Sequence, residues 1–230
     1  MRLSWRAGLA VVMVGLLCST GHAATMNYGD IAVDHGSYLN VRETSPSDPL
    51  PLFGAPIASG DALAFSTSAF TASSVGGSDL TTSKLEFTIV ANQGYFIGSV
   101  SIEEVGDYLI LGSNGHATIS GLLAVSVADG NGGFVLLHDA FDIQPTMPQS
   151  GTGQGPWQAT ASLNLLAYQA TSVLVSIDNS LAAVALTGEV AFIDKKLVAV
   201  NTEFVPEPAS LLLFGMGAGV LLYARRRSVA

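Results

Sequence analysis

Period-two alternation of apolar and polar residues constrains this chain more than any other feature, because an alternating segment has a single dry face only when it is extended. The clearest run is Trp157-Gln158-Ala159-Thr160-Ala161-Ser162-Leu163-Asn164-Leu165, apolar at every odd position. A helix would scatter those residues around its circumference, whereas a strand gathers them on one side. Thr171 to Asp178 repeats the pattern through Val173, Val175 and Ile177. Leu181 to Thr187 follows the turn-type cluster Asp178-Asn179-Ser180, so the two segments predict a hairpin. Glu189 to Ile193 and Lys196 to Phe204 add short strands, separated by Asp194-Lys195.

The same grammar runs upstream. Lys84 to Ala91 predicts a strand with Leu85, Phe87 and Ile89 inward; Asn92-Gln93-Gly94 turns it, and Tyr95 to Glu103 returns. Gly106 predicts a break before Asp107 to Leu111. Asn114-Gly115 predicts a tight hairpin to the long run Ala117 to Ala128, because both residues tolerate the positive φ of a type I′ turn. Asp129 to Gly133 is a second turn, leading into Phe134 to His138. Between Thr25 and Ser83 only Asp61 to Thr67, with Leu63 and Phe65, reads as a strand. Pro46, Pro49, Pro51 and Pro56 mark a loop, and Gln149 to Gly155 marks another that leaves room for a two-lobed arrangement. With 25 glycines and 12% charged residues, the expectation is an all-β body over 24–204: an antiparallel two-sheet sandwich, immunoglobulin-like or jelly-roll-like. A β-helix is the alternative, but no fixed-period repeat supports it.

Both ends carry addresses. Arg2 and Arg6 precede an apolar stretch from Ala7 to Cys18 and the small-x-small ending Gly21-His22-Ala23, the order of a secretory signal peptide over 1–23, cleaved after Ala23. The stretch is too short for a transmembrane helix, and Leu17 before Cys18 is too large for a lipoprotein signal. Cys18 is the chain's one cysteine, so the mature body has no disulfide, thiolate or cysteine-ligated metal. At the other end, Pro206-Glu207-Pro208 keeps the backbone extended. Ala209 to Tyr223 is uncharged, and at the helical rise it gives about 22 Å of a predicted transmembrane helix over about 209–224. Arg225-Arg226-Arg227 would hold the far end in the cytoplasm and leave the body outside.

An ordinary single-span anchor accounts for the apolar run and the arginines but not for the two prolines. Their tripartite order, within a tail of residues 205–230, resembles the PEP-CTERM sorting signal of Gram-negative bacteria. That resemblance implies a membrane-embedded exosortase as partner, with Pro206, Glu207 and Pro208 as its processing motif. It further implies a membrane-anchored precursor, delivery to the cell surface or the extracellular matrix, and surroundings of exopolysaccharide and biofilm.

The body offers little chemistry. Arg42, Lys84, Lys195 and Lys196 stand against seventeen carboxylates, a net charge of −13 over Ala24 to Val205, which disfavours nucleic acid and anionic lipid as partners. His35, His116 and His138 have no metal-ligand spacing, and neither a nucleophile elbow nor a phosphate loop occurs. Glu103-Glu104 with Asp107, or Asp139 with Asp142, are the nearest carboxylate pairs for glycan hydrolysis; adjacent Glu103 and Glu104 face opposite ways on a strand, and all are expected as solvated loop groups. Asp129, Asp139 and Asp142 are weak candidates for calcium, the single cofactor considered, since Asp129-x-Asn131 departs from an EF-hand at Gly133 and Ala140. Tyr95, Tyr108 and Trp157 could stack a sugar, although Trp157 lies in phase with the buried face of its strand. The expectation is therefore a non-enzymatic structural or interaction protein, with a carbohydrate-binding module or a carboxylate-dependent hydrolase as rivals.

Export should begin with cleavage after Ala23, so mass spectrometry of the mature N-terminus should find Ala24. A chain that starts at Met1, or at a lipid-modified Cys18, would overturn the assignment.

Overall fold

Alternation and turn chemistry resolve into twelve strands and one turn of 3-10 helix in the computed structural model, which describes residues 23–207 except Ser47, Ser68 and Asn131. The strands are β1 (Ala24–Ala32), β2 (Gly36–Ser45), β3 (Ile57–Ser59), β4 (Ala62–Ser66), β5 (Thr71–Ala91) and β6 (Tyr95–Leu111). They continue with β7 (His116–Ala128), β8 (Phe134–Ala140), β9 (Asp142–Gln144), β10 (Gln149–Ser150), β11 (Gly153–Asn164) and β12 (Ser172–Pro206). Most of the expected signal peptide, the expected transmembrane helix over 209–224, and Pro208 with Arg225, Arg226 and Arg227 lie outside the described residues. Among the described residues, no helix is long and apolar enough to cross a membrane.

Every ladder is antiparallel, and β12 is the spine. Its first part, Ser172 to Ala185, lies between β5 and β7; its second, Val190 to Pro206, has β6 on one side and the start of β5 followed by β4 on the other. One layer therefore runs β1-β2-β5-β12-β7, with β8 and β10 on the outer edge of β7. The other runs β3-β4-β12-β6-β11-β9. The chain passes between layers at Leu186-Thr187-Gly188-Glu189, where pairing with β5 is interrupted. Gly188 (φ +88°) and Gly76 of the partner strand (φ +73°) supply the left-handed backbone that the bend needs. Glu189 braces it, accepting hydrogen bonds from the Asn114 amide (3.2 Å) and side chain (3.1 Å). These bonds hold its carboxyl below the usual carboxylate range despite some desolvation.

Parity along β12 places the core. Val173, Val175, Ile177, Asn179, Leu181, Ala183 and Ala185 point inward, then Ala191, Ile193 and Lys195; a register shift between Lys195 and Leu197 flips the faces, and Val198, Val200 and Thr202 continue inward. Trp157 lies beneath β6 with its indole N–H donated to the Asp194 carbonyl at 3.0 Å. The layers meet through Tyr38, whose hydroxyl is 2.7 Å from Thr202, and through the ring contact of Tyr28 with Phe65.

The all-β antiparallel sandwich and the inward faces of Leu85, Phe87 and Ile89 and of Trp157, Ala159 and Ala161 agree with the sequence reading. Several local expectations do not. Asp178-Asn179-Ser180 is no turn: β12 runs straight through it, and also through Asp194-Lys195, because Asn179 and Lys195 are core residues with polar partners across the layers. Gly106 interrupts nothing either. It sits inside β6, where a Cβ would fall 1.9 Å from the Asp194 carbonyl and 2.5 Å from the Trp157 ring. Asn114-Gly115 is an arch between layers and not a hairpin, since β6 and β7 pair with different parts of β12. Gln149 to Gly155 holds β10 and the start of β11 within the same sandwich, and Thr25 to Ser83 contributes β1, β2, β3 and half of β5 besides the expected β4.

Gly106→Ala should therefore lower the melting temperature by roughly 5–10 °C, the effect of about 2–3 kcal/mol of overpacking. Gly77→Ala, whose Cβ would meet no atom closer than 3.9 Å, should change it little. Equal shifts in thermal denaturation followed by circular dichroism would refute this account of Gly106.

Candidate functional site

Three regions have the chemistry to matter, and the first is where the body meets its tail. The last residues of β12 are held closely: Phe204 crosses Gly36, where a Cβ would lie 2.5 Å from its ring, and Val205 crosses Gly98. Pro206 is paired with Tyr95, the first residue of β6, and the Glu207 amide donates to the Gly94 carbonyl at 2.8 Å. The expected processing motif thus starts as the last rung of a ladder, with no linker, and Pro206 and Glu207 are half-buried. The backbone is extended at Pro206, as the prolines require, and β6 supplies the partner for it. An open cleft of about 650 Å³ beside Glu207 is lined by Asn92, Gln93, Gly94, Tyr95 and Thr171. His35 packs on Tyr95 and meets Asp61 at 2.8 Å. At the other terminus Ala23 is exposed, immediately before β1.

The second region is a pair of buried acids that the sequence did not reveal. Glu43 of β2 accepts from the amides of Leu52 (3.0 Å) and Phe53 (3.3 Å), from the Ser83 hydroxyl (3.0 Å) and from the Tyr28 hydroxyl (2.7 Å). Burial, reinforced by this carboxylate, pushes the Tyr28 hydroxyl pKa up and keeps the phenol neutral. Glu43 thereby satisfies backbone donors that the proline-containing loop would otherwise bury unpaired, and seats Phe53 in the core. Glu104 of β6 is equally buried and touches Lys195 Nζ at 2.5 Å; Nζ also contacts the Asn179 side-chain oxygen. The Phe70 ring lies 4.6 Å from Nζ and the Phe53 ring 5.7 Å. Sequence distance hid this group, although one signal was present: an even-phased strand that buries Ile102 must also bury Glu104.

The third region is an open groove of about 450 Å³ formed by Asp107, Tyr108, Gln154, Pro156, Phe192 and Asp194. Asp107, part of this lining, is ion-paired with Lys196.

The other expected site residues are dispersed. Glu103 faces outward and accepts from Gln158 at 2.8 Å, so it and Glu104 form no pair; Glu104 is not the solvated carboxylate expected. Asp129 accepts from the Gly133 amide in the β7–β8 turn, Asp139 from the Ser162 amide of β11, and Asp142 from the Gln144 side chain. The three are not brought together, and no cluster of three potential ligands occurs among the described residues. Trp157 is core, and of the three aromatics considered for sugar stacking only Tyr95 and Tyr108 retain an accessible face. All four body cations are ion-paired, Arg42 and Lys84 with Glu86, Lys195 with Glu104 and Lys196 with Asp107, so the remaining surface charge is acidic.

An antiparallel β-sandwich whose last strand runs directly into a sorting signal defines the class. Residues 204–227 match the PEP-CTERM protein-sorting motif, and the tail is such a motif. It implies export, exosortase processing and membrane-anchored sorting to the cell surface. No curated protein matches the sequence. Solved structures give distant likenesses. TmCBM61 in complex with β-1,4-galactotriose is 11% identical over 64% of this chain and 70% of its own, at a TM-score of 0.21. The infectious bursal disease virus Gx strain structure is 12% identical over 69% of this chain and 50% of its own, at 0.21. The enzymatically active domain of bacteriophage CBA120 tailspike protein 4 is 11% identical over 75% of this chain and 19% of its own, at 0.20. Scores this low carry no inference about function.

Proposed function

We propose that this chain is a non-catalytic structural or interaction protein, displayed on the cell surface or released into an exopolysaccharide matrix after exosortase processing at Pro206-Glu207-Pro208. The observation that carries the reading is the sorting motif at 204–227, continuous with β12. The body supports it: Glu43 and Glu104, its two buried carboxylates, are both turned inward to tie loops and layers together, and Glu103, Asp139 and Asp142 are engaged at separate places on the sheets. The acidic surface suits a soluble, matrix-dwelling domain.

Replacing Pro206-Glu207-Pro208 with Ala-Ala-Ala leaves the apolar run and the arginines untouched, and the Glu207-to-Gly94 hydrogen bond is made by backbone. The variant should insert and fold normally, while unprocessed precursor accumulates in the membrane fraction of the native host. Maturation at the normal rate would reduce the tail to an ordinary anchor.

A carbohydrate-binding module is the second reading, and the groove beside Tyr108 favours it, because a ring face flanked by Gln154, Asp107 and Asp194 offers stacking together with hydroxyl-bonding groups. A glycan array probed with the protein should show binding that Tyr108→Ala abolishes if this reading holds. An array without signal would leave the structural role alone.

A further inference from the structure

Lys195, Glu104 and Asn179 form a closed polar group in the core for which sorting has no use. They are 1%, 0% and 4% exposed. A lysine ordinarily keeps its ammonium in water, and a buried ion pair is tolerable only when the remaining donors and acceptors are satisfied. Here they are not fully: among the described residues, Glu104 Oε1 and Asn179 Nδ2 make no hydrogen bond of good geometry, although the Asn179 side chain lies close enough to Glu104 to draw its carboxyl pKa down somewhat. Burial pushes the Glu104 carboxyl up and the Lys195 amine down, against their mutual attraction. Both directions favour moving one proton from nitrogen to oxygen, leaving a free amine and a carboxylic acid. A free amine is a nucleophile, and it already lies against the carboxamide of Asn179. The walls are the rings of Phe70 and Phe53, which exclude competing water.

We propose that Lys195 and Asn179 join in an intramolecular amide bond, with Glu104 as the proton carrier. The Lys195 Nζ lone pair attacks Asn179 Cγ, and the carbonyl electrons move onto Oδ1, which the Glu104 acid stabilises by hydrogen bonding. Glu104 takes a proton from Nζ and delivers one to Nδ2. The Cγ–Nδ2 bond then breaks, ammonia leaves, and the Nζ–Cγ amide remains. One amine and one primary amide become one secondary amide and ammonia, so no oxidant, reductant or co-reactant is required. The bond joins the two parts of β12 across the layers and closes a covalent ring around the bend at Leu186–Glu189.

The intact mass of the purified full-length chain should fall short of the mass its amino acids require by one ammonia, about 17 Da. Succinimide closure at an asparagine loses the same mass, so position decides. A glutamate-specific protease cuts after Glu104, Glu189 and Glu203, separating the segment that holds Asn179 from Val190–Glu203, which holds Lys195. The proposal requires a branched peptide that joins the two and resists hydroxylamine. Glu104→Gln, which keeps the shape but cannot carry the proton, and Lys195→Met should both yield separate peptides at full mass. Two separate peptides from a wild-type chain that melts cooperatively would overturn the bond, whether or not the variants fold. A branched peptide formed equally fast in Glu104→Gln would overturn the role given to Glu104.

Discussion

The contact between Lys195 and Asn179 is the constraint on which the rest of the sandwich turns. The two residues belong to one strand and are sixteen positions apart, a separation that an unbent strand would stretch to roughly 50 Å. Bringing them together requires the bend at Leu186–Glu189, and the bend requires Gly188, Gly76 and the brace from Glu189 to Asn114. Once β12 is folded over, its neighbours are committed. β7 and the later part of β5 line its first part, and β6 and β4 line its second, so the two layers are already face to face. The loop after β2 then closes one side, seated by Glu43 and filled by Phe53, which is also a wall of the Lys195 chamber. The two buried acids thus act on one place from opposite directions.

Much of this was legible from residue order, and what was missed has a common cause. Alternation fixes which side of a strand is dry, so the inward faces of β11 and of the later part of β5 could be read directly. It does not say which strand lies beside which, because ladders are made by backbone groups that every residue shares. Asn114-Gly115 has the chemistry of a hairpin turn, yet the strands on either side of it pair with β12 and not with each other. Polar residues misled for a different reason. Asp178-Asn179-Ser180 and Asp194-Lys195 have the composition of turns, and only the presence of Glu104 on another strand makes an asparagine and a lysine acceptable core residues. Gly106 misled likewise, since the absence of a side chain can signal a turn or a site where a ring and a carbonyl come close; here it is the latter. The tail was the most readable part, because its order of prolines, apolar run and arginines depends on no tertiary partner.

The direct passage of β12 into the sorting tail has a mechanical consequence. While the tail is held in a membrane, any drag on the body is transmitted along β12, parallel to the strand and across hydrogen bonds that lie perpendicular to it. Ladders loaded in this way share force among many bonds at once, whereas a terminal strand peeled sideways gives them up one at a time. The paired rungs from Val190–Leu111 to Pro206–Tyr95 would bear that load, with the β4 ladder beside them and the chamber around Lys195 behind them. An edge strand in the same position would unzip. By leaving the fold through its most heavily paired strand, the chain places its tether where a pull is resisted by the whole sandwich.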